Sequence, residues 1–258
     1  MAELDTPEKL SCLIVVPTYR ERDNILKLHS ALARQGISYR LLVIDDGSDD
    51  GTHEILTRLQ AQGAPVIIFQ RHKKLGLGTA YVLAFAYARL TRHPCIVQMD
   101  ADLSHAPEDL PRLVTTCRDY DMAIGSRYVA GGYCEGWPWH RQLLSAAANW
   151  LVRSTLRLDM ADATGGLKCL RRSLLQRLAI ERITAAGFAF QWDFNRLAAE
   201  VGASVAEVPI CFRQRTTGRS KMSIRIMLEG LGRLFRIKCQ TWKKHYERGG
   251  RRAKKPHK

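Results

Sequence analysis

The chain has 258 residues with 40 Lys and Arg against 25 Asp and Glu, a formal charge of +15, and is long enough for one large domain with a sizeable core. From Cys211 onward there are sixteen Lys or Arg against only Glu229 and Glu247, so the preceding part is close to neutral, which describes an ordinary domain with a basic tail suited to an anionic surface. The seven Cys include no Cys-x-x-Cys pair, no apolar run reaches the roughly 18 residues of a membrane span, and the N-terminus lacks a charged-then-apolar leader; the expectation is a reduced, cytosolic protein whose membrane contact, if any, is peripheral.

Leu13-Ile14-Val15-Val16 is a short apolar run closed by Pro17-Thr18-Tyr19. It predicts a buried strand, followed by a polar helix start over 21–24. Leu41-Leu42-Val43-Ile44 is a second such run, ending in Asp45-Asp46-Gly47-Ser48. Asp49-Asp50-Gly51-Thr52 then suits a cap for a helix running to about Gln60. Val66-Ile67-Ile68-Phe69 makes a third strand, followed by the loop Leu75-Gly76-Leu77-Gly78 and a helix of good formers over 79–90. Cys95-Ile96-Val97-Gln98-Met99 is a fourth strand that delivers Asp100 and Asp102 to its C-terminal edge, and Met122-Ala123-Ile124-Gly125 a fifth. Strand and helix alternate throughout, so the expected fold class is α/β, with a mostly parallel sheet covered by helices on both faces. Ligands of such sheets bind beyond the C-terminal strand ends.

Two Asp with one small residue between them can both reach a single hard cation. Magnesium keeps several waters and takes one or two carboxylates plus substrate phosphates, so Asp100-Ala101-Asp102 suggests phosphate chemistry, although the same spacing also occurs in plain turns and caps. A dinucleotide-binding domain would need Gly-x-Gly-x-x-Gly after the first strand. Here the first strand meets Pro17-Thr18-Tyr19, and Gly76-x-Gly78 follows the third strand without its third Gly. That glycine pair suits a turn before a helix as well as it suits ligand contact.

Pro17-Thr18-Tyr19-Arg20-Glu21-Arg22-Asp23-Asn24, Val43-Ile44-Asp45-Asp46-Gly47-Ser48-Asp49-Asp50-Gly51-Thr52, Gly76-Leu77-Gly78-Thr79-Ala80-Tyr81 and Met99-Asp100-Ala101-Asp102-Leu103-Ser104-His105 follow one another. Gly125-Ser126-Arg127-Tyr128, Asp162-Ala163-Thr164-Gly165-Gly166, Phe190-Gln191, Glu207-Val208-Pro209-Ile210 and Arg215-Thr216-Thr217-Gly218-Arg219-Ser220-Lys221 come after. This succession resembles the family-2 glycosyltransferases, and among them the dolichol-phosphate (polyprenyl-phosphate) mannosyltransferases. The resemblance implies a GT-A fold, a nucleotide-sugar donor, a divalent Mg2+ or Mn2+, and a lipid-phosphate acceptor. It gives GDP-mannose as the donor with UDP-glucose as runner-up, since the same motifs serve both.

Carried over position by position, Pro17, Tyr19 and Glu21 would frame base and ribose. Asp45 or Asp46 would meet the nucleoside, and strand alternation favours Asp46 with Ile44 on the same side. Asp100 and Asp102 would hold the metal at the diphosphate with the Ala101 backbone nearby, and Ser104, where many relatives carry Gln, would be a shorter further ligand. Arg215 and Lys221 are suited to close over the diphosphate. Arg127 is a candidate for the acceptor phosphate, as are Arg141 and Ser145, which share a face if 140–156 is helical. Asp102, Arg127, Arg215 and Lys221 form the expected catalytic set. A phosphate monoester, with a second pKa near ~6, is already largely ionised at neutral pH. It needs no strong base, so Asp193 is read as a positioning carboxylate or simply a helix-start carboxylate.

A helix over 223–242 would put Ile224, Met227, Leu228, Leu231, Leu234, Phe235 and Trp242 on one side. Arg225, Arg233, Arg236, Lys243 and Lys244 would fall on the other. That pattern suits a helix lying in a membrane interface, or one packed on the domain's own core. Trp137-Pro138-Trp139 offers aromatics for the headgroup level or for loop packing. The expected division is a transferase domain over 1–222, the amphipathic helix over 223–246, and a disordered basic tail over 247–258. A small membrane subunit could serve as anchor. No recognised nucleic-acid motif accompanies the basic tail, so no nucleic-acid partner is expected. A non-catalytic nucleotide-sugar-binding subunit is the remaining alternative.

Overall fold

The computed structural model describes residues 11–214 together with Gly232 and Leu234. Strands β1 (Ser11–Thr18), β2 (Ser38–Asp45), β3 (Val66–Gln70), β4 (Cys95–Gln98) and β5 (Met122–Ser126) alternate with helices α1 (Arg22–Ala33), α2 (Thr52–Ala61), α3 (Leu77–Leu90) and α4 (Leu110–Thr116). Along β1, Leu13 and Val15 enter one apolar core while Cys12, Ile14 and Val16 enter the other. β2 repeats the division, with Leu42 and Ile44 against Leu41 and Val43. A strand buried on both faces reads as an unbroken apolar run for this reason.

The second half continues with β6 (Tyr133–Glu135), α5 (Trp139–Leu156), β7 (Lys168–Arg171), α6 (Arg172–Arg177), α7 (Phe190–Glu200), β8 (Val205–Pro209) and β9 (Cys211–Arg213). Among the described residues the main sheet runs β3-β2-β1-β4-β7-β5-β8, and β6 pairs with β9 separately. All main-sheet pairings are parallel except those of β7, which runs against both β4 and β5. The α/β class and mostly parallel sheet are as expected. The antiparallel insertion is not legible in the sequence, because Lys168-Cys169-Leu170-Arg171 is short and carries a cation at each end.

One face of the sheet is covered by α1, α2 and α4 through Ile25, Leu28, Leu56 and Leu113. The other is covered by α3, α6 and α7 through Tyr81, Phe85, Leu174, Phe190 and Phe194. Tyr81 stacks on Phe190 with ring centroids 5.2 Å apart, an offset arrangement that adds to simple burial. Its hydroxyl donates to the Met99 carbonyl at 3.2 Å, bracing the end of β4 from below.

The Gly76–Gly78 pair has a packing explanation. A Cβ on Gly78 would stand 1.8 Å from the Ala185 carbonyl oxygen, and the Gly78 amide donates to the Ala186 carbonyl at 2.8 Å. Gly76 has φ of +100°, a conformation that favours glycine. The two glycines let α3 start flush against another backbone segment.

Leu234, which the sequence places on an apolar stripe, is helical and buried within the core that holds Phe85 and Phe190. Arg215, Lys221, the remainder of the 223–246 segment and the 247–258 tail lie outside the described residues, as do the boundaries expected there.

Candidate active site

The C-terminal ends of β1, β2 and β4 converge on one edge, and their carboxylates are already engaged by the protein. Asp45 is fully buried. It accepts from the Thr18 hydroxyl at 2.8 Å, the Ser48 hydroxyl at 2.6 Å and the Ser48 amide at 3.0 Å. Asp46 pairs with the buried Arg71 guanidinium and accepts the Gly76 amide at 3.0 Å. Arg71 in turn donates to Thr79 Oγ1 at 2.7 Å, tying the end of β3 to the start of α3. Asp45 therefore shapes the turn after β2, and Asp46 holds the glycine loop. Ile44 is buried in the core and has only its backbone to offer a ligand. Pro17, Tyr19 and Glu21 are half-buried along the same rim. Lys74 lies 4.2 Å over the Tyr19 ring, and Asn24 donates to the Glu21 carboxylate at 2.8 Å.

Beyond β4 the chain turns sharply, with Leu103 at φ of +59°. The turn puts Ala101, Asp102, Ser104 and His105 inside, while the Asp100 side chain keeps 24% of its surface exposed. Asp102 is not the open strand-edge carboxylate that the sequence suggests. It is 5% exposed, and its Oδ1 accepts both the Ser104 hydroxyl at 2.6 Å and the Ser104 amide at 3.1 Å. Ser104 thus orients Asp102 in this structure. The His105 imidazole accepts the Asp100 amide at Nδ1, 3.2 Å away, which leaves the proton on Nε2. Burial lowers its pKa below the usual histidine value, against the opposing pull of Asp100 and Asp102.

Among the described residues no group of three or more His, Cys, Asp or Glu is placed to hold a metal ion. Two carboxylates from one tight turn, one of them partly open, nevertheless fit a hard cation that completes its shell with water and substrate phosphate. Asp100 and Asp102 would hold such an ion, with Ser104 fixing the second of them.

Arg127, at the end of β5, is a buried cation with a buried partner. Its Nε and Nη2 donate to the two Asp162 oxygens at 2.7 and 2.8 Å, and Nη2 also reaches Thr164 Oγ1 at 2.8 Å. Burial alone would lower the Arg127 pKa and raise that of Asp162, but the pair reverses both shifts. Arg127 is therefore no solvated surface charge in this fold.

Phe212, on β9, joins the two halves of the edge. Its ring meets His105 edge-on at 5.3 Å and Trp137 at 5.4 Å, and the Arg127 guanidinium lies 5.5 Å from its centre. Arg141 sits 3.9 Å over Trp137. The Ser145 hydroxyl is 2.8 Å from the Tyr128 hydroxyl. The 100–105 turn, Arg127 and Arg141 are thus linked through His105, Phe212 and Trp137, and Ser145 joins them through Tyr128, whose ring lies 5.1 Å from the Arg127 guanidinium. Trp137 is a packing residue of that cluster, whereas Trp139, Leu143, Leu144 and Trp150 are exposed on α5. Phe212 and the Arg71–Asp46 pair escape sequence reading because the partners lie in separate segments of the chain, and Tyr128 stands in the Gly125-Ser126-Arg127-Tyr128 motif without a role.

Beside the 100–105 turn lies a buried polar layer. Lys168 is fully buried and donates to the Gly165 carbonyl at 2.7 Å and to Gln191 Oε1. Gln98 donates to the same Gln191 oxygen and to the Gly166 carbonyl, each at 2.8 Å. Asp193 is buried on the same helix start, set back in the fold. Burial pulls the Lys168 ammonium down from 10.5 to about 7, with Asp162 and Asp100 resisting. Between those two values the unfolded chain holds a proton that the folded chain has released. Stability is therefore expected to rise with pH across that window. Urea denaturation of the native chain and Lys168→Met at pH 6, 8 and 10 should show this rise in the native chain and lack its Lys168 share in the variant. Identical slopes would refute it.

A doubly wound α/β sheet with paired carboxylates and buried cations at its C-terminal edge defines a protein built to bind an anionic, phosphate-bearing ligand. Glycosyl transferase family 2 matches residues 13–179. The polyprenol monophosphomannose synthase of Mycolicibacterium smegmatis is 40% identical over 213 residues, covering 82% of this chain and 80% of that one. The undecaprenyl-phosphate mannosyltransferase of Micrococcus luteus is 36% identical over 211 residues, covering 82% and 87%. Among solved structures, glucosyl-3-phosphoglycerate synthase from Mycobacterium tuberculosis with Mn2+, uridine diphosphate and phosphoglyceric acid superposes with a TM-score of 0.59 at 20% identity, covering 88% of this chain and 75% of that one. That likeness shows the fold. The chain belongs to glycosyl transferase family 2.

Proposed function

We propose that this protein is an inverting, metal-dependent glycosyltransferase that moves mannose from GDP-mannose to a polyprenyl or dolichyl monophosphate. The observation that carries the reading is the joining of the Asp100–Asp102 turn, through His105 and Phe212, to Arg127 and, by way of Trp137, to Arg141. It brings a carboxylate pair for a metal-bound diphosphate beside cations for a second phosphate. The names of the two mannosyl-transferring relatives support the sugar and the acceptor class.

A divalent cation, when bound, would offset the charge that builds on the departing diphosphate. The protein's own work is positional. The Arg127 and Arg141 guanidiniums would orient the acceptor phosphate, whose ionised oxygen attacks the anomeric carbon from the face opposite the leaving group. Arg215 and Lys221 are proposed to close over the diphosphate. No described side chain is needed as a strong base, because the acceptor is already an anion.

Donor screening tests the reading. With Mn2+ or Mg2+ and a short-chain isoprenyl phosphate, transfer from GDP-mannose is expected. Glucosyl product from UDP-glucose would favour the runner-up, and donor binding without transfer to either would leave a non-catalytic binder.

No described helix is long and apolar enough to cross a membrane. We place the protein peripherally on the cytosolic face, using the exposed Trp139, Leu143, Leu144 and Trp150 of α5, the basic tail, or a small anchor subunit. Apolar burial and about 1 kcal/mol per juxtamembrane cation would give reversible binding. The full chain is expected to co-sediment with anionic vesicles at low salt and less at high salt, while truncation after Tyr246, which keeps the buried Leu234 and removes only the basic tail, weakens this and spares activity on a soluble acceptor. Equal sedimentation of both chains would remove the tail from the docking surface.

A further inference from the structure

The 161–166 segment carries Asp162 to Arg127 and then passes the metal turn, where Gly166 lies against His105 and Asp100. It has no regular secondary structure, yet it is held by side chains converging from elements far apart in sequence. Glu207 on β8 accepts the Ala161 and Asp162 amides, one on each carboxylate oxygen. Asn149 on α5 closes a two-bond ring, donating to the Ala161 carbonyl at 2.6 Å and accepting the Ala163 amide at 2.9 Å. Asn195 takes the Ala163 carbonyl at 2.8 Å, while Lys168 and Gln98 take those of Gly165 and Gly166. An irregular buried backbone must find such partners, since an unpaired amide or carbonyl is costly away from water. The partners here fix the segment at both of its functional ends.

We infer that Glu207 and Asn149 are positioning residues for sugar transfer, setting the Arg127 guanidinium for the acceptor phosphate by holding the backbone on either side of Asp162. Arg127 has no other carboxylate partner among the described salt bridges, and Asp162 engages its Nε, its Nη2 and its own backbone amide. A shift of Asp162 therefore turns the guanidinium with it. Asn149 also lies on the helix that carries Arg141 and Ser145. Its ring of hydrogen bonds keeps those two groups in register with Arg127. Asp100 and Asp102 are carried by a different turn, so the clamp acts on the acceptor side of the site. The inference rests on the proposal that Arg127 faces the acceptor.

The test uses the full chain with Glu207→Gln and Asn149→Asp, each nearly isosteric and each breaking one of two clamping bonds. Both are made alone and in an Arg127→Lys background. The readouts are acceptor KM with a short-chain isoprenyl phosphate, kcat, and calorimetric affinity for Mn2+ with GDP. Each single variant is expected to raise acceptor KM about tenfold, with nucleotide affinity within about twofold. In the Arg127→Lys background neither should raise it further, because a lysine lacks the planar fork that the clamp orients. A residue that merely supports the fold would lower nucleotide affinity in step and add its cost in both backgrounds. Either result overturns the inference, as does an unchanged acceptor KM in the single variants. The two variants touch different atoms of one segment, so either carries the test if the other fails to fold. If Arg127→Lys itself leaves acceptor KM unchanged, the assignment of Arg127 to the acceptor has failed, and the inference falls with it. If only the clamp variants are silent, the inference fails alone.

Discussion

Asp102→Asn is expected to lower kcat by about 10²–10³-fold or more, the scale set by losing one preorganised electrostatic contact to the developing charge. Asparagine keeps an oxygen for the Ser104 hydroxyl and amide, the two bonds that Asp102 Oδ1 accepts, and removes the charge and the second oxygen that a cation would use. Asp102→Ala would also leave both Ser104 donors without their acceptor in a buried turn, costing about 1–3 kcal/mol of stability. The asparagine variant therefore separates the chemistry from the fold. Titration with Mn2+ followed by paramagnetic resonance should show weakened binding in the variant, and excess chelator should silence the native chain. Full turnover by the variant, or by the native chain in chelator, would end the metal reading.

Breaking the Arg127–Asp162 pair should give the largest loss of stability. Asp162→Ala leaves a guanidinium, 8% exposed in its side chain, without its only carboxylate partner among the described residues, and removing one member of a buried pair costs about 3–5 kcal/mol. The pH dependence has a definite sign. Burial works to raise the Asp162 carboxyl, but the Arg127 hydrogen bonds and charge outweigh it and leave it below the ordinary value. A folded-state pKa below the unfolded one gives stability that is complete above the unfolded carboxyl pKa, about 3.9, and is lost as pH falls through the folded value. Denaturation of the native chain and the variant should differ most near pH 7 and converge in the acid range. A difference under about 1 kcal/mol at pH 7, the scale of an exposed pair, would mean that Arg127 finds other support.

Much of the architecture was local enough to read from the chain. Leu13–Val16, Leu41–Ile44 and Val66–Phe69 are apolar runs closed by turn residues, and they became β1, β2 and β3. The helix on which Arg141 and Ser145 would share a face, posed as a condition over 140–156, runs from Trp139 to Leu156. The carboxylates at the ends of β2 and β4 were legible because a strand end and its turn lie within a few residues of each other.

What each carboxylate does was decided by tertiary structure. Asp46 is held by Arg71 and the glycine loop, Asp102 is buried by a turn whose residues look like an open rim, and Arg127 meets Asp162, a partner 35 positions away. β7 enters the sheet antiparallel between β4 and β5, and Phe212 gathers His105, Trp137 and Arg127 around one ring. Turn and strand preferences arise from neighbouring residues, so a sequence displays them directly. The protonation, burial and partner of a side chain depend on segments that meet only when the sheet closes, and no local pattern records which segments those are.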